Sequence, residues 1–322
     1  INQTVLLRSV VQEHDNKQQV KCMINKYQGC LLGLAIGDAL GAPVEFLTLP
    51  DIRRRYGSDG ITDFGEWGEL KPGSYTDDTQ MSLATAVGCI RAYQQGEKNK
   101  ENRSLSSFIY QCYLGWLYLQ NNLEQRRAPG NTCLSALRSG KMGTIEERIN
   151  DSKGCGGVMR TAPIGLAFPS DKAFQEGAEC AAITHGHPSG YLSAGFLSEI
   201  ISCIIEGKTL LEAIDLGIRY LAIYEGHSET FNKIKLAQEL SNSQKPVEKS
   251  IQTIGEGWVG DEAIAIAVYC SLKFSDNWEN GTLAAVNHSG DSDSTGAITG
   301  AILGTLLGVE FIPVQWVQNI EK

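Results

Sequence analysis

Two short acidic clusters carry the strongest chemical signal in the sequence. Thr76-Asp77-Asp78-Thr79 and Asp291-Ser292-Asp293-Ser294-Thr295 each stand just before apolar residues at helical spacing. Asp, Ser and Thr are preferred N-caps, and negative charge suits a helix N-terminus, so capping accounts for either cluster alone. Capping needs one side-chain oxygen, whereas each cluster offers two carboxylates and neighbouring hydroxyls. Carboxylates crowded together repel unless cations lie between them. An all-oxygen donor set selects hard ions such as Mg²⁺ or Mn²⁺ over zinc. Two divalent ions would balance the charge of Asp77, Asp78, Asp291 and Asp293, and a two-ion site suits displacement chemistry.

Rival metal motifs fail on the same letters. Asp291-x-Asp293-x-Thr295-Gly296 opens like an EF-hand loop, but Ile302 stands where the bidentate Glu belongs. The D-x-D-x-T string of haloacid-dehalogenase-type phosphatases should follow an early strand of a parallel sheet; here it lies near the end of a helical chain. Asp77-Asp78 also resembles the start of the D-D-x-x-D of isoprenoid synthases, but Met81 replaces the third Asp.

Other groups carry weaker signals. The loop Gly154-Cys155-Gly156-Gly157-Val158-Met159-Arg160 could cradle a diphosphate with its backbone amides, or be only a turn. His185 and His187 could donate to a phosphate or ribose, though a lone His is more often structural and their spacing does not favour zinc. Glu45 reads equally as an acid or base near the metals and as a surface carboxylate. The nine Cys form no C-x-x-C pair, which reads as reduced thiols in a cytosolic protein.

Helices must position these groups. Apolar residues recur at three-four spacing from Met23 through Tyr27, Cys30, Leu31, Leu34 and Ala35. Similar patterns cover 81–93, 105–119, 191–205, 210–223 and 263–274, with loops over 57–73 and 151–157. Strand-like alternation is scarce, so the fold class is all-α, a compact single-domain helical bundle. Gly29, Gly33, Gly37 and Gly41 recur every fourth residue, as do Gly296, Gly300, Gly304 and Gly308. An interior Gly costs roughly 1 kcal/mol relative to Ala, so the stripes predict buried helix faces, each against another backbone and preferably each other.

With 322 residues, 42% of them hydrophobic, the chain can bury a sizeable core, which excludes disorder. A net charge of -9 argues against a general nucleic-acid binder. The longest apolar stretch, Thr295 to Val309, is shorter than the roughly twenty residues a bilayer needs, so no membrane span and a cytoplasmic location are expected.

In this order the segments resemble the ADP-ribosylglycohydrolase family. The resemblance rests on Gly33 to Gly41 with Glu45, Tyr75 to Met81, Gly154 to Gly165, Thr184 to Pro188 and Asn287 to Gly296. It implies an all-α fold holding two Mg²⁺ or Mn²⁺ on Thr76, Asp77, Asp78, Asp291, Asp293 and Ser294. Gly154, Cys155, Gly156, Gly157, Val158, Met159, Arg160 and His185 would hold the diphosphate and neighbouring ribose, with Glu45, Asp78 and Asp291 as catalytic candidates. Cys155 departs from the Asn usual there. The implied activity is hydrolysis of ADP-ribose from protein arginine, so the implied partner is an ADP-ribosylated protein. An alternative is an immunity-type protein that occludes an ADP-ribosyltransferase. Residues 1–22 lie outside the resemblance, which covers a domain over 23–322. Val5, Leu6, Leu7, Val10 and Val11 could dock on the parent domain or anchor such a transferase.

Overall fold

A computed structural model describes the backbone of residues 2–98 and 103–322, and the side chains of 18–95 and 103–322. Fifteen α-helices occupy the described residues, with no strand among them. In chain order they are α1 (Asn2–Gly41), α2 (Leu49–Tyr56), α3 (Asp77–Lys98), α4 (Leu105–Leu119) and α5 (Asn131–Arg138). Then come α6 (Ala162–Ala167), α7 (Ser170–Ala182), α8 (Pro188–Ile205), α9 (Leu210–Leu221) and α10 (Ser228–Ser241). The chain ends through α11 (Val247–Ile254), α12 (Gly260–Lys273), α13 (Trp278–Val286), α14 (Ser292–Leu307) and α15 (Val314–Asn319). The segments with clean apolar periodicity are all helical. The short or mostly polar α2, α5, α10 and α15 carry too weak a pattern to be read in advance.

One helix pair fixes the frame. In α1 and α14 the glycines face each other in antiparallel order: a Cβ on Gly29, Gly33 or Gly37 would collide with the carbonyl of Gly304, Gly300 or Gly296. Gly41 abuts the carbonyl of Ser292, in the first turn of α14. Both stripes are buried, and Trp278 Nε1 donates to the Gly300 carbonyl at 3.1 Å beside the seam. The expected seam is therefore present, although its apolar face begins later than the periodicity suggests. Met23 is exposed, whereas Cys30 and Leu34 are buried. Helix α1 runs back to Asn2 as one element; the side chains of the proposed anchor, Val5 to Val11, lie outside those described.

The main core gathers α7 to α12 around α8, every residue of which except Ile205 is buried. By length and composition α8 could cross a bilayer, but 94% of it is buried inside the fold, so it is the bundle's central helix. A second apolar cluster joins α1, α13, α14 and α15 through Ile36, Trp278 and Trp316, and a third joins α3, α4 and α5 through Ile109, Tyr113 and Leu134.

Candidate functional site

The seam ends where the acidic clusters begin. Asp38, in the last turn of α1, caps α3 from outside: it accepts from Thr76 N at 2.9 Å, Thr79 N at 3.0 Å and Thr79 Oγ1 at 2.5 Å. Within the cluster Thr76 Oγ1 accepts from Asp78 N at 3.2 Å, so this hydroxyl caps the helix locally. With the α3 amides already satisfied, Asp77 and Asp78 are released from capping. Asp78 Oδ2 is buried with no hydrogen-bond partner, and Asp77 Oδ2 accepts only a long bond from Gly130 N, 3.4 Å.

Helix α14 is capped by its own cluster. Asp291 Oδ1 accepts from Ser294 N at 3.2 Å, and Asp293 Oδ1 accepts from the same amide at 2.9 Å. Asp291 N donates to the Glu256 carbonyl at 2.9 Å. Gly290 makes that approach feasible, since its φ of +132° is left-handed and a Cβ would strike the Glu256 carbonyl. Glu45 follows the end of α1 in a turn whose next residue, Phe46, has φ +66° and stacks on Trp258 with centroids 5.1 Å apart.

These elements form a cavity of about 190 Å³ lined by Glu45, Asp77, Asp78, Asp291, Asp293 and Ser294. Gly154, Cys155, Gly156, Met159 and His185 line it too, with Ala128 and Gly130 to Cys133. No Lys or Arg is part of this lining. Burial and then mutual repulsion push the carboxyls up: Glu45 to about 11, Asp77 to about 8, Asp293 to about 7, and Asp78 and Asp291 well above the usual range. Among the described residues no three His, Cys, Asp or Glu side chains already surround a single ion position. The chemistry of the donors nevertheless fits a hard divalent cation: the oxygens crowd one cavity, their charge is uncompensated, and Asp78 Oδ2 lacks any partner.

The glycine loop lines the same cavity and touches the acidic cluster. Residues Cys155–Gly157 form one 3-10 turn, pinned by an isolated bridge between Gly154 and Val259. Its glycines have a packing reason. A Cβ on Gly154 would lie 3.2 Å from His185 Nε2, and one on Gly156 would lie 3.1 Å from His185 Cε1, so the loop rests on the imidazole. Cys155 Sγ–H donates to Asp291 Oδ2 at 2.8 Å, and burial followed by that carboxylate pushes its thiol pKa well up. Cys155 is therefore a protonated donor to the acidic cluster.

Not every expected contact reaches the cavity. Gly157, Val158 and Arg160 do not line it. Val158 is in the apolar core, and Arg160 is wholly buried with its guanidinium 4.4 Å from the Tyr113 ring centroid. A direct substrate contact from Arg160 gives way to a place inside the fold, where its NH2 donates to Thr184 Oγ1 and the Cys180 carbonyl. Thr76 also stays outside the lining, one bond from Asp78. His187 caps α8, accepting from Ser189 N at 3.1 Å. Sequence reasoning missed Asp38, whose partners lie 38 and 41 residues away, and the stretch Ala128 to Thr132, which carries no motif.

Known proteins resemble this chain over most of its length. A family model described as ADP-ribosylglycohydrolase matches residues 20–322. The chain is 29% identical to the ADP-ribosyl-[dinitrogen reductase] glycohydrolase of Rhodospirillum rubrum, over 91% of this chain and 89% of that one. It is 28% identical to the ADP-ribosylarginine hydrolase Tri1 of Serratia proteamaculans, over 92% of this chain and 75% of that one. A solved structure titled ADP-ribosylglycohydrolase-related protein complex shares the fold with a TM-score of 0.70 at 24% identity, covering 94% of each chain. With the family model spanning residues 20–322, which include every residue of the acidic cavity, the chain belongs to the ADP-ribosylglycohydrolase family.

Proposed function

We propose that the cavity hydrolyses the N-glycosidic bond joining ADP-ribose to a protein arginine, with two Mg²⁺ or Mn²⁺ ions held on the acidic side. The observation that carries this reading is the convergence, on one cavity with no Lys or Arg in its lining, of five carboxylates and a glycine loop. Asp77, Asp78, Asp291 and Asp293, assisted by Ser294 and Thr76, would hold the ions. When bound, such ions offset the carboxylate charge, orient oxygen ligands and make water a stronger nucleophile.

The remaining work falls to the chain's own groups. The Gly154 to Gly156 backbone, with His185 beneath it, forms the wall on which ribose and diphosphate would rest. Glu45, Asp78 and Asp291 face the same space, and any of them can accept the proton of an attacking water once a cation draws its carboxyl back towards the usual range. The bound arginine is already a guanidinium cation, so it departs as a neutral guanidine without a strong general acid, and the proton taken from the attacking water then returns to it. Ala128 and the Gly130 to Cys133 stretch complete the lining.

The test is a release assay with ADP-ribose linked to arginine, to serine and to an acetyl group, each with Mg²⁺ or Mn²⁺ present. Preferential release from arginine is expected. Release from serine or acetyl alone would overturn the arginine assignment, and release from none would overturn hydrolysis.

A further inference from the structure

Arg160 is an expensive residue to bury. It is wholly inside the fold, among the described residues it has no carboxylate partner, and its Nε makes no hydrogen bond. Tyr113 offers it a ring face, and Met81 and Cys133 offer sulfur atoms at 3.5 Å. Its one short polar contact runs from NH2 to Thr184 Oγ1, 2.6 Å. Thr184 Oγ1 in turn lies 2.9 Å from His185 Nδ1.

The direction of these bonds follows from what each group can do. A guanidinium only donates, so the Thr184 oxygen must accept from Arg160. The threonine's single hydrogen is then free for Nδ1, a far better acceptor than the neighbouring Cys133 sulfur. Nδ1 accepting means that the ring hydrogen sits on Nε2. Nε2 lies against the Gly154 and Gly156 backbone, on the wall of the cavity, and no described residue partners it.

We propose that Arg160 and Thr184 are positioning residues that fix His185 as a neutral imidazole with its Nε2–H turned into the cavity, ready to donate to a phosphate or ribose oxygen of an ADP-ribosyl group. Burial and the adjacent guanidinium also hold the imidazole pKa far down, to about 3, so the ring stays neutral. The identity of the acceptor rests on the function proposed above; the tautomer does not. The glycines belong to the same device, because any side chain at Gly154 or Gly156 would press on the ring edge that carries the donor.

The experiment is ¹⁵N NMR of the imidazoles in the full-length chain, with the His185 signals assigned by their loss in His185→Gln, and calorimetric titration with free ADP-ribose. Wild type and Thr184→Ser should show one tautomer, with Nε2 protonated and Nδ1 bare. Thr184→Val and Arg160→Met should both mix the tautomers, and Thr184→Val should weaken ADP-ribose binding about tenfold while Thr184→Ser restores it. A protonated Nδ1 in wild type, or an unchanged tautomer in Thr184→Val and Arg160→Met, overturns the proposal. Should a variant fail to fold, the wild-type and Thr184→Ser spectra still decide. A single Nε2–H tautomer with no ADP-ribose binding supports the positioning role and counts against the proposed function instead.

Discussion

Helices α1 and α14 meet twice, in opposite ways. Along Gly29 to Gly37 and Gly296 to Gly304 their backbones touch with no side chain between them, and the contact is buried and uncharged. A few residues further, the ends of the same two helices bring Glu45, Asp291 and Asp293 to a cavity where each carboxyl raises its neighbours' proton affinity. The first region stabilises by close packing; the second is held together against its own repulsion. The difference teaches what the seam is for. A bundle joined by flexible side chains would relax the acids apart, whereas a backbone seam leaves them nowhere to go.

Substitutions should separate the two regions by their readouts. In the cavity, Asp293→Asn is expected to cost at least about 4 kcal/mol of transition-state stabilisation, on the order of a thousandfold in kcat/KM. The same variant, stripped of metal, should keep or raise its urea midpoint because a repelling charge has gone. A large loss of stability in Asp293→Asn would break the contrast.

In the seam, Gly300→Ala should destabilise by about 3 kcal/mol, because a methyl group meets the Gly33 carbonyl, which cannot swing aside as a side chain would. The sign is diagnostic. In an open helix the same change would stabilise by about 1 kcal/mol, so a raised melting temperature would contradict the close approach.

Proton linkage gives a smaller effect of definite sign. Asp77 and Asp293, raised from 3.8 to about 8 and about 7, bind protons more tightly in the folded chain than in the unfolded one. Their contribution to stability is full below about pH 4 and is lost as pH rises through 7 to 8. Metal-free protein should therefore show these carboxylates eroding its melting temperature between pH 5 and 8, and Mg²⁺ should restore it most at the upper end. A melting temperature indifferent to Mg²⁺ at about pH 8 would count against a cation in the cavity. The smallest expected change is at Cys155: Cys155→Ser keeps a donor to Asp291 Oδ2, while Cys155→Ala removes it, and the two should differ by about 1 kcal/mol in kcat/KM. Equal rates would show that this bond plays no part.

The legible part of the molecule was the part encoded locally. Helical periodicity marked the long helices, the fourfold glycine spacing marked the seam, and the paired Asp clusters marked one side of the cavity. Contacts between distant segments left no local trace. Asp38 sits in the middle of a glycine-rich helix face, and nothing near it signals that it caps α3. Cys155 read as a departure from the usual Asn, yet its thiol donates to Asp291. Arg160 lies in the core and outside the cavity lining; arginine is almost never fully buried, and a loop next to a candidate diphosphate site makes a basic residue look like a ligand. Only the packing of Tyr113 and Thr184 around it reveals its place.

The account stands most directly on whether the acids need cations to work. The measurement is ADP-ribose release from ADP-ribosyl-arginine by chelator-stripped protein as Mg²⁺ or Mn²⁺ is titrated back. Release that is absent after chelation, returns as about two ions bind per chain, and is lost in Asp293→Asn is the predicted result. Undiminished release from fully chelated protein would contradict it.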